Sequence, residues 1–144
     1  MNWFQPIEST LGNYSSECFG RIIAATYQSS YDNSTGAHSN HMELSIHYYP
    51  DYVVTILVED ARGIKIPDIN SGCCLRFEEL FIDDVSDSQL EGINYHFADE
   101  GYGMSFYCAG LQVLSICKFE NEAITEQLWP HGSHCARGES GTSQ

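Results

Sequence analysis

The feature that most constrains this chain is an alternation of period two followed by a β-branched run. Met42, Leu44, Ile46 and Tyr48 alternate with His41, Glu43, Ser45 and His47. One face of such a segment is apolar only if the backbone is extended, so it predicts a half-buried strand. Pro50-Asp51 breaks the pattern, since proline cannot donate to a ladder. The next run, Tyr52 to Glu59 (YVVTILVE), is almost continuously apolar and predicts a central strand covered on both faces. Two such runs joined by a short turn predict a hairpin.

The same reading extends outward. Arg21 to Tyr27 predicts a first strand, and the polar stretch Ser29 to Asn40 predicts a mobile loop. Ala61 to Gly72 reads as irregular, punctuated by Gly63, Pro67 and Gly72. Cys73 to Phe77 predicts a strand running through Glu78-Glu79 into Leu80-Phe81-Ile82, with a β-bulge at the break in alternation. Asp83 to Gly92 is an acidic turn region. Ile93, Tyr95 and Phe97 predict a strand, Asp99 to Gly103 a hairpin loop, and Met104, Phe106 and Cys108 the next strand. Ala109-Gly110 reads as a tight turn before a strand over Leu111 to Phe119, and Asn121 to Trp129 as a short helix or an edge strand. The expected fold is all-β: an antiparallel sandwich or strongly bent sheet of about seven strands. Residues 1–130 are expected to form a single β-rich domain, and the Gly/Ser-rich 131–144 a disordered tail.

A chain of 144 residues can bury roughly two thirds of its unfolded surface, enough for one core. Aromatic residues make up 12% and hydrophobic residues 42%, which separates this chain from a disordered polyanion despite a formal charge of −14. No segment approaches a membrane span of roughly 20 apolar residues. The start of the chain has neither a basic nor an apolar leader segment, so the expected compartment is the cytoplasm. There the six cysteines, Cys18, Cys73, Cys74, Cys108, Cys117 and Cys135, are expected to be free thiols. The adjacent Cys73-Cys74 pair speaks against a disulfide framework, since neighbours in a strand point to opposite faces.

The charge is clustered. From Phe77 to Cys117 the sequence contains no Lys or Arg, yet it carries Glu78, Glu79, Asp83, Asp84, Asp87, Glu91, Asp99 and Glu100. A one-signed field of this kind attracts cationic partners and repels nucleic acid and anionic membranes. Tyr95, Tyr102 and Tyr107 are interleaved with these acids, and Tyr beside carboxylate suits recognition of a basic protein face. The blander reading is solubility, which net negative charge also serves. The residues expected to bind a partner are Glu78, Glu79, Asp83, Asp84, Asp87, Glu91, Asp99, Glu100 and Tyr102.

Chemistry is otherwise sparse. His131, His134 and Cys135 have spacing that suits two or three zinc ligands, but a structural zinc site ordinarily shows two ligand pairs, and the sequence offers one. A calcium loop over Asp83 to Glu91 fails the EF-hand register at Val85. No nucleophile elbow, H-E-x-x-H pair or phosphate-binding loop occurs. His41 and His47 share a strand face but are separated by roughly 20 Å of extended chain. His96 falls on the expected solvent face. No cofactor and no catalytic residue is therefore expected.

Gly103 to Ile116 (GMSFYCAGLQVLSI), together with Leu75 to Ile82 (LRFEELFI), resembles small bacterial immunity proteins of polymorphic toxin systems, the immunity protein 50 type in particular. The resemblance spans roughly Met42 to Phe119 and lies mostly in core positions. It implies a non-enzyme that binds and blocks a cognate toxin, and carries over no individual binding residue. Many such toxins are nucleases and hence basic, so an acidic inhibitor would be steered to them. The leading expectation is therefore a cytoplasmic immunity-type inhibitor acting on a basic toxin through an acidic face, with no nucleic-acid or membrane partner. The rivals are a nucleic-acid-mimicking anti-defence inhibitor and a small metal-binding protein or enzyme.

Overall fold

Met42, Leu44, Ile46 and Tyr48 are all buried on one face of a strand much longer than its alternating segment. The computed structural model describes residues 2–67, 75–120 and 123–129. Among these residues there are nine strands: β1 (Phe19–Asp32), β2 (Ala37–Tyr48), β3 (Tyr52–Glu59), β4 (Arg62–Lys65), β5 (Leu80–Asp84), β6 (Tyr95–Asp99), β7 (Ser105–Cys108), β8 (Gly110–Glu120) and β9 (Ala123–Trp129). They form two antiparallel sheets, one in the order β1-β2-β3-β8-β9 and the other in the order β4-β7-β6-β5. The fold is all-β, as the period of the sequence requires. A single short helix, α1 (Gln5–Leu11), opens the chain.

Both sheets contribute to one core. Leu44, Ile46, Val54, Ile56, Val58, Val113 and Ile116 come from the larger sheet, and Leu80, Phe97, Phe106 and Cys108 from the smaller. Phe97 and Phe106 are fully buried and stacked, with centroids 4.5 Å apart. Helix α1 seals one end through Ile7, and an aromatic chain continues that seal. Phe4 stacks on Tyr14 at 4.2 Å, and Tyr14 meets Phe19, which meets Tyr48. Burial pushes the Tyr48 hydroxyl up to about 12, partly offset by the hydrogen bond that it accepts from the Ser15 N–H. Burial also raises Tyr14, with Tyr48 adding to the effect.

Four expectations are corrected. The polar stretch Ser29–Asn40 is not a mobile loop. It is the outer part of a hairpin in which β1 and β2 stay paired to Asp32↔Ala37. The turn between them is capped by Asp32, whose carboxylate accepts from the N–H and hydroxyl of Ser34. Polar residues pair here because β1 and β2 run on past the core, so neither face has an apolar requirement, and Tyr27 and Tyr31 are more than half exposed. The stretch read as irregular contains β4, whose ladder with β7 joins Arg62 to Tyr107 and Lys65 to Ser105. Ala109-Gly110 is not a hairpin turn but a corner: β7 belongs to the smaller sheet and β8 to the larger.

The fourth correction concerns cysteine. Cys18 and Cys108 are free, but Cys117 is disulfide-bonded. Cys73 and Cys74 lie outside the described residues. The strand expected over Cys73–Phe77 is described only from Leu75, where Arg21 and Arg76 form a bridge and the Ile22 N–H donates to the Leu75 carbonyl. The segment 121–129, read as helix or edge strand, contains the edge strand β9. The expected tail, 131–144, lies outside the described residues.

Candidate functional site

The acidic residues are arranged around β5, which ends the smaller sheet. Glu78 and Glu79 form a bend just before it, and one carboxylate holds that bend. Asp99 Oδ1 accepts from the backbone N–H of Glu78 (2.9 Å) and Glu79 (2.6 Å), while its Oδ2 accepts from the N–H of Tyr102 (2.9 Å). Asp99 is 3% exposed. It is thus a structural brace joining the entry of β5 to the β6–β7 hairpin, and it is withdrawn from any binding face. The break in alternation at Glu78-Glu79 is this braced bend, not a bulge.

Glu78 and Glu79 share a groove of about 300 Å³ with Ser16, Glu17, Leu80 and Phe81. Ser16 and Glu17 come from a single 3-10 turn, Ser16–Cys18, whose start is capped by the Ser15 hydroxyl. Two elements about sixty positions apart thus place three carboxylate side chains around a groove that also has an apolar lining. Phe81 is 45% exposed, a large ring at the groove mouth. An aliphatic stem ending in a cation is complementary to such a site. Glu17 and Phe81 were not expected as site residues. Glu17 lies far from the acidic stretch, and nothing local marks it.

At the other end of β5, Asp83 is exposed and stands opposite His96 in the ladder. His96 lies half-buried on the outer face and stacks on Tyr107 at 4.2 Å. Asp84 pairs in register with Tyr95 and accepts from the hydroxyl and N–H of Ser86. The Ser86 hydroxyl, then its N–H, hold the Asp84 carboxyl below the ordinary carboxylate range. Tyr95 is raised by burial first and by the Asp84 charge second. Asp87 lies in the exposed turn Ser86–Ser88 and Glu91 in the exposed turn before β6. Glu100 is exposed, and its N–H donates to the Glu79 carbonyl.

The cation-free window of the sequence is not cation-free in space. Arg76 lies over the Tyr102 ring, 5.1 Å from its centroid, donates to the Tyr102 hydroxyl at 3.0 Å, and approaches Glu78 at 3.9 Å. Tyr102 is thereby committed to Arg76 and only partly available to a partner. Arg62 donates to the Glu91 carbonyl at 3.3 Å, and β4 brings it alongside β7. The expected nine-residue face therefore resolves into Glu78 and Glu79 at a groove that Glu17 joins, an acidic strand end (Asp83, Asp84, Asp87), a buried brace (Asp99), the exposed Glu100 beside Glu79, and Glu91 and Tyr102, which like Glu78 are neighboured by arginine.

Among the described residues, no three His, Cys, Asp or Glu side chains converge in a way that could hold a metal ion, the calcium candidate over Asp83–Glu91 included. His131, His134 and Cys135 lie outside these residues. Burial pushes the free Cys108 thiol up to about 12, against the Gly110 N–H, which lowers it. That thiol is inert at neutral pH. Among the described residues, no helix is long and apolar enough to cross a membrane. This fold and site define an all-β protein of two antiparallel sheets with an acidic strand edge. No family model, curated protein or solved structure matches the chain.

Proposed function

We propose that this protein is a binding protein rather than an enzyme: an immunity-type inhibitor that takes a basic partner, such as a toxin domain, on the acidic edge around β5. The observation that carries this reading is the groove of Glu17, Glu78 and Glu79 beside exposed Phe81, with Asp83, Asp84 and Asp87 continuing along the same edge. Carboxylates contributed by separate elements, with an aromatic surface between them, supply what a Lys- or Arg-rich face needs: charge for steering and apolar area for residence. A nuclease fits the partner's role, because phosphate-binding grooves are basic. The acidic field disfavours nucleic acid and anionic membrane as partners.

The cytoplasm is the compartment proposed from the sequence. The disulfide at Cys117 weighs against it, because disulfides persist in oxidising compartments. Counting free thiols on protein taken directly from its cells decides the point.

The binding test is capture at low salt from the native cells, elution by a salt step and identification of the eluate by mass spectrometry. The expected result is a basic protein that elutes with salt. The triple reversal Glu17→Lys, Glu78→Lys, Glu79→Lys should slow its association by roughly tenfold or more and flatten the salt dependence. Unchanged retention of the partner by that variant would overturn the assignment of the face.

A further inference from the structure

We infer that β5 is a receptor edge, and that the partner segment it takes is an extended basic strand added to the smaller sheet. This rests on the reading above and specifies its binding mode. The backbone of β5 is the first observation. The Val85 N–H donates to the Asn94 carbonyl, and the Glu79 carbonyl accepts from the Glu100 N–H. Residues of an antiparallel strand turn their N–H and C=O groups to alternate sides. Glu79, Phe81, Asp83 and Val85 therefore turn theirs to β6, while Leu80, Ile82 and Asp84 direct theirs to the outer edge, where Leu80 is buried and Ile82 and Asp84 are accessible. The register runs without a shift from Leu80↔Asp99 to Asp84↔Tyr95. Among the described residues, no backbone group hydrogen-bonds to that edge.

Sheet edges are ordinarily blunted by lysine, proline, bulges or a covering segment. The β4 edge and the start of β1 follow that rule. The β4 ladder is broken by a register shift, Gly63 has φ +62°, and Pro67 follows. The start of β1 is covered by Leu75–Phe77. Toward its Leu80 end the β5 edge is covered, because Leu80 is 4% exposed and the Ser16–Cys18 turn packs against the strand, while from Ile82 to Asp84 no described residue pairs with it. Over Ile82 to Asp84 the guard among the described residues is charge, from Asp83, Asp84 and the neighbouring acids. Like charge repels a second β5 strand, and the same charge attracts a basic one.

The side chains define what such a strand would present. On the outer face it lies next to Phe81, which suits an apolar residue, and next to Asp83, which suits Lys or Arg. At the Leu80 end its cationic side chain reaches the groove of Glu17, Glu78 and Glu79. Main-chain bonds to Ile82 and Asp84 would supply affinity, and the alternating side chains specificity.

The test uses the full-length, isotope-labelled protein and a synthetic ten-residue peptide of alternating Lys and Val, together with its fully N-methylated counterpart of equal charge. The peptide should slow exchange of the Ile82 and Asp84 amides about tenfold or more, and the methylated peptide should bind at least about tenfold more weakly. Equal binding of the two peptides, or unprotected Ile82 and Asp84 amides, would overturn strand addition while leaving charge-driven binding standing. The triple variant Glu17→Gln, Glu78→Gln, Glu79→Gln separates the two readings. If it binds the peptide as tightly as the native protein does, the acidic-groove reading fails even where the amides are protected. Concentration-dependent protection of the same amides without peptide would identify a second copy as the occupant and overturn the basic-partner assignment.

Discussion

Replacing Asp99 tests whether a carboxylate in the acidic stretch is a brace rather than a contact. Its two oxygens accept three backbone N–H bonds, from Glu78, Glu79 and Tyr102, at 2.6–2.9 Å, and its side chain is almost wholly buried. Hydrogen bonds to a charged group contribute about 1.5–3 kcal/mol each, and a donor left unpaired costs about 1–3 kcal/mol. Glu78 and Glu79 are themselves exposed, so water recovers part of the loss at their amides. Asp99→Ala should then cost about 3–5 kcal/mol. Asp99→Asn keeps the shape and one accepting oxygen for Glu78 and Glu79, but turns an NH2 toward the Tyr102 N–H, so it should cost about 1–2 kcal/mol. The assay is urea unfolding followed by tryptophan fluorescence. With a slope of about 2 kcal/mol per M, the alanine variant's midpoint should fall by about 2 M and the asparagine variant's by less than half as much. An alanine variant within about 0.5 kcal/mol of the native protein would refute the brace. So would an asparagine variant as unstable as the alanine one.

Other outcomes follow from the same geometry. A Cβ on Gly101 would collide with the Cβ of Glu78, so Gly101→Ala should lower stability by about 1–3 kcal/mol in the same unfolding assay. Phe97→Ala removes a fully buried ring stacked on Phe106 and should cost about 3–5 kcal/mol, read by the thermal midpoint. Tyr48 has a folded pKa of about 12, raised from 10.0 mainly by burial. Its contribution is therefore fully present below about pH 10 and is lost as pH rises toward 12; spectrophotometric titration should find phenols that ionise late, together with alkaline unfolding. Iodoacetamide at neutral pH should label Cys18, which is half-buried, before the fully buried Cys108. Mass spectrometry of the native and urea-treated protein should find Cys108 modified only after unfolding.

The acidic site was legible in the sequence as a composition and not as a geometry. Glu78, Glu79, Asp83, Asp84 and Asp87 do lie along one edge, because consecutive residues at a strand and its ends stay together in any fold. Asp99 has the same chemistry and the same neighbourhood in sequence, yet it is buried, and nothing local distinguishes it from Glu100. Glu17 joins the groove only because the Ser16–Cys18 turn packs near β5. Arg76 and Arg62 moderate the field because a bend and a cross-strand pairing bring them back to it.

What the sequence by itself determined is the strand character of the core. The alternation of Met42 to Tyr48 and the apolar run Tyr52–Glu59 admit only extended backbone with a buried face, and both segments are strands, β2 and β3. Tertiary structure decided which strands share a sheet, how far the Ser29–Asn40 hairpin projects, and that Ala109-Gly110 is a corner between sheets. Side-chain periodicity reports the face that a residue turns to the core. It carries no information about the neighbour across the ladder, because the backbone bonds that join strands are the same for every residue.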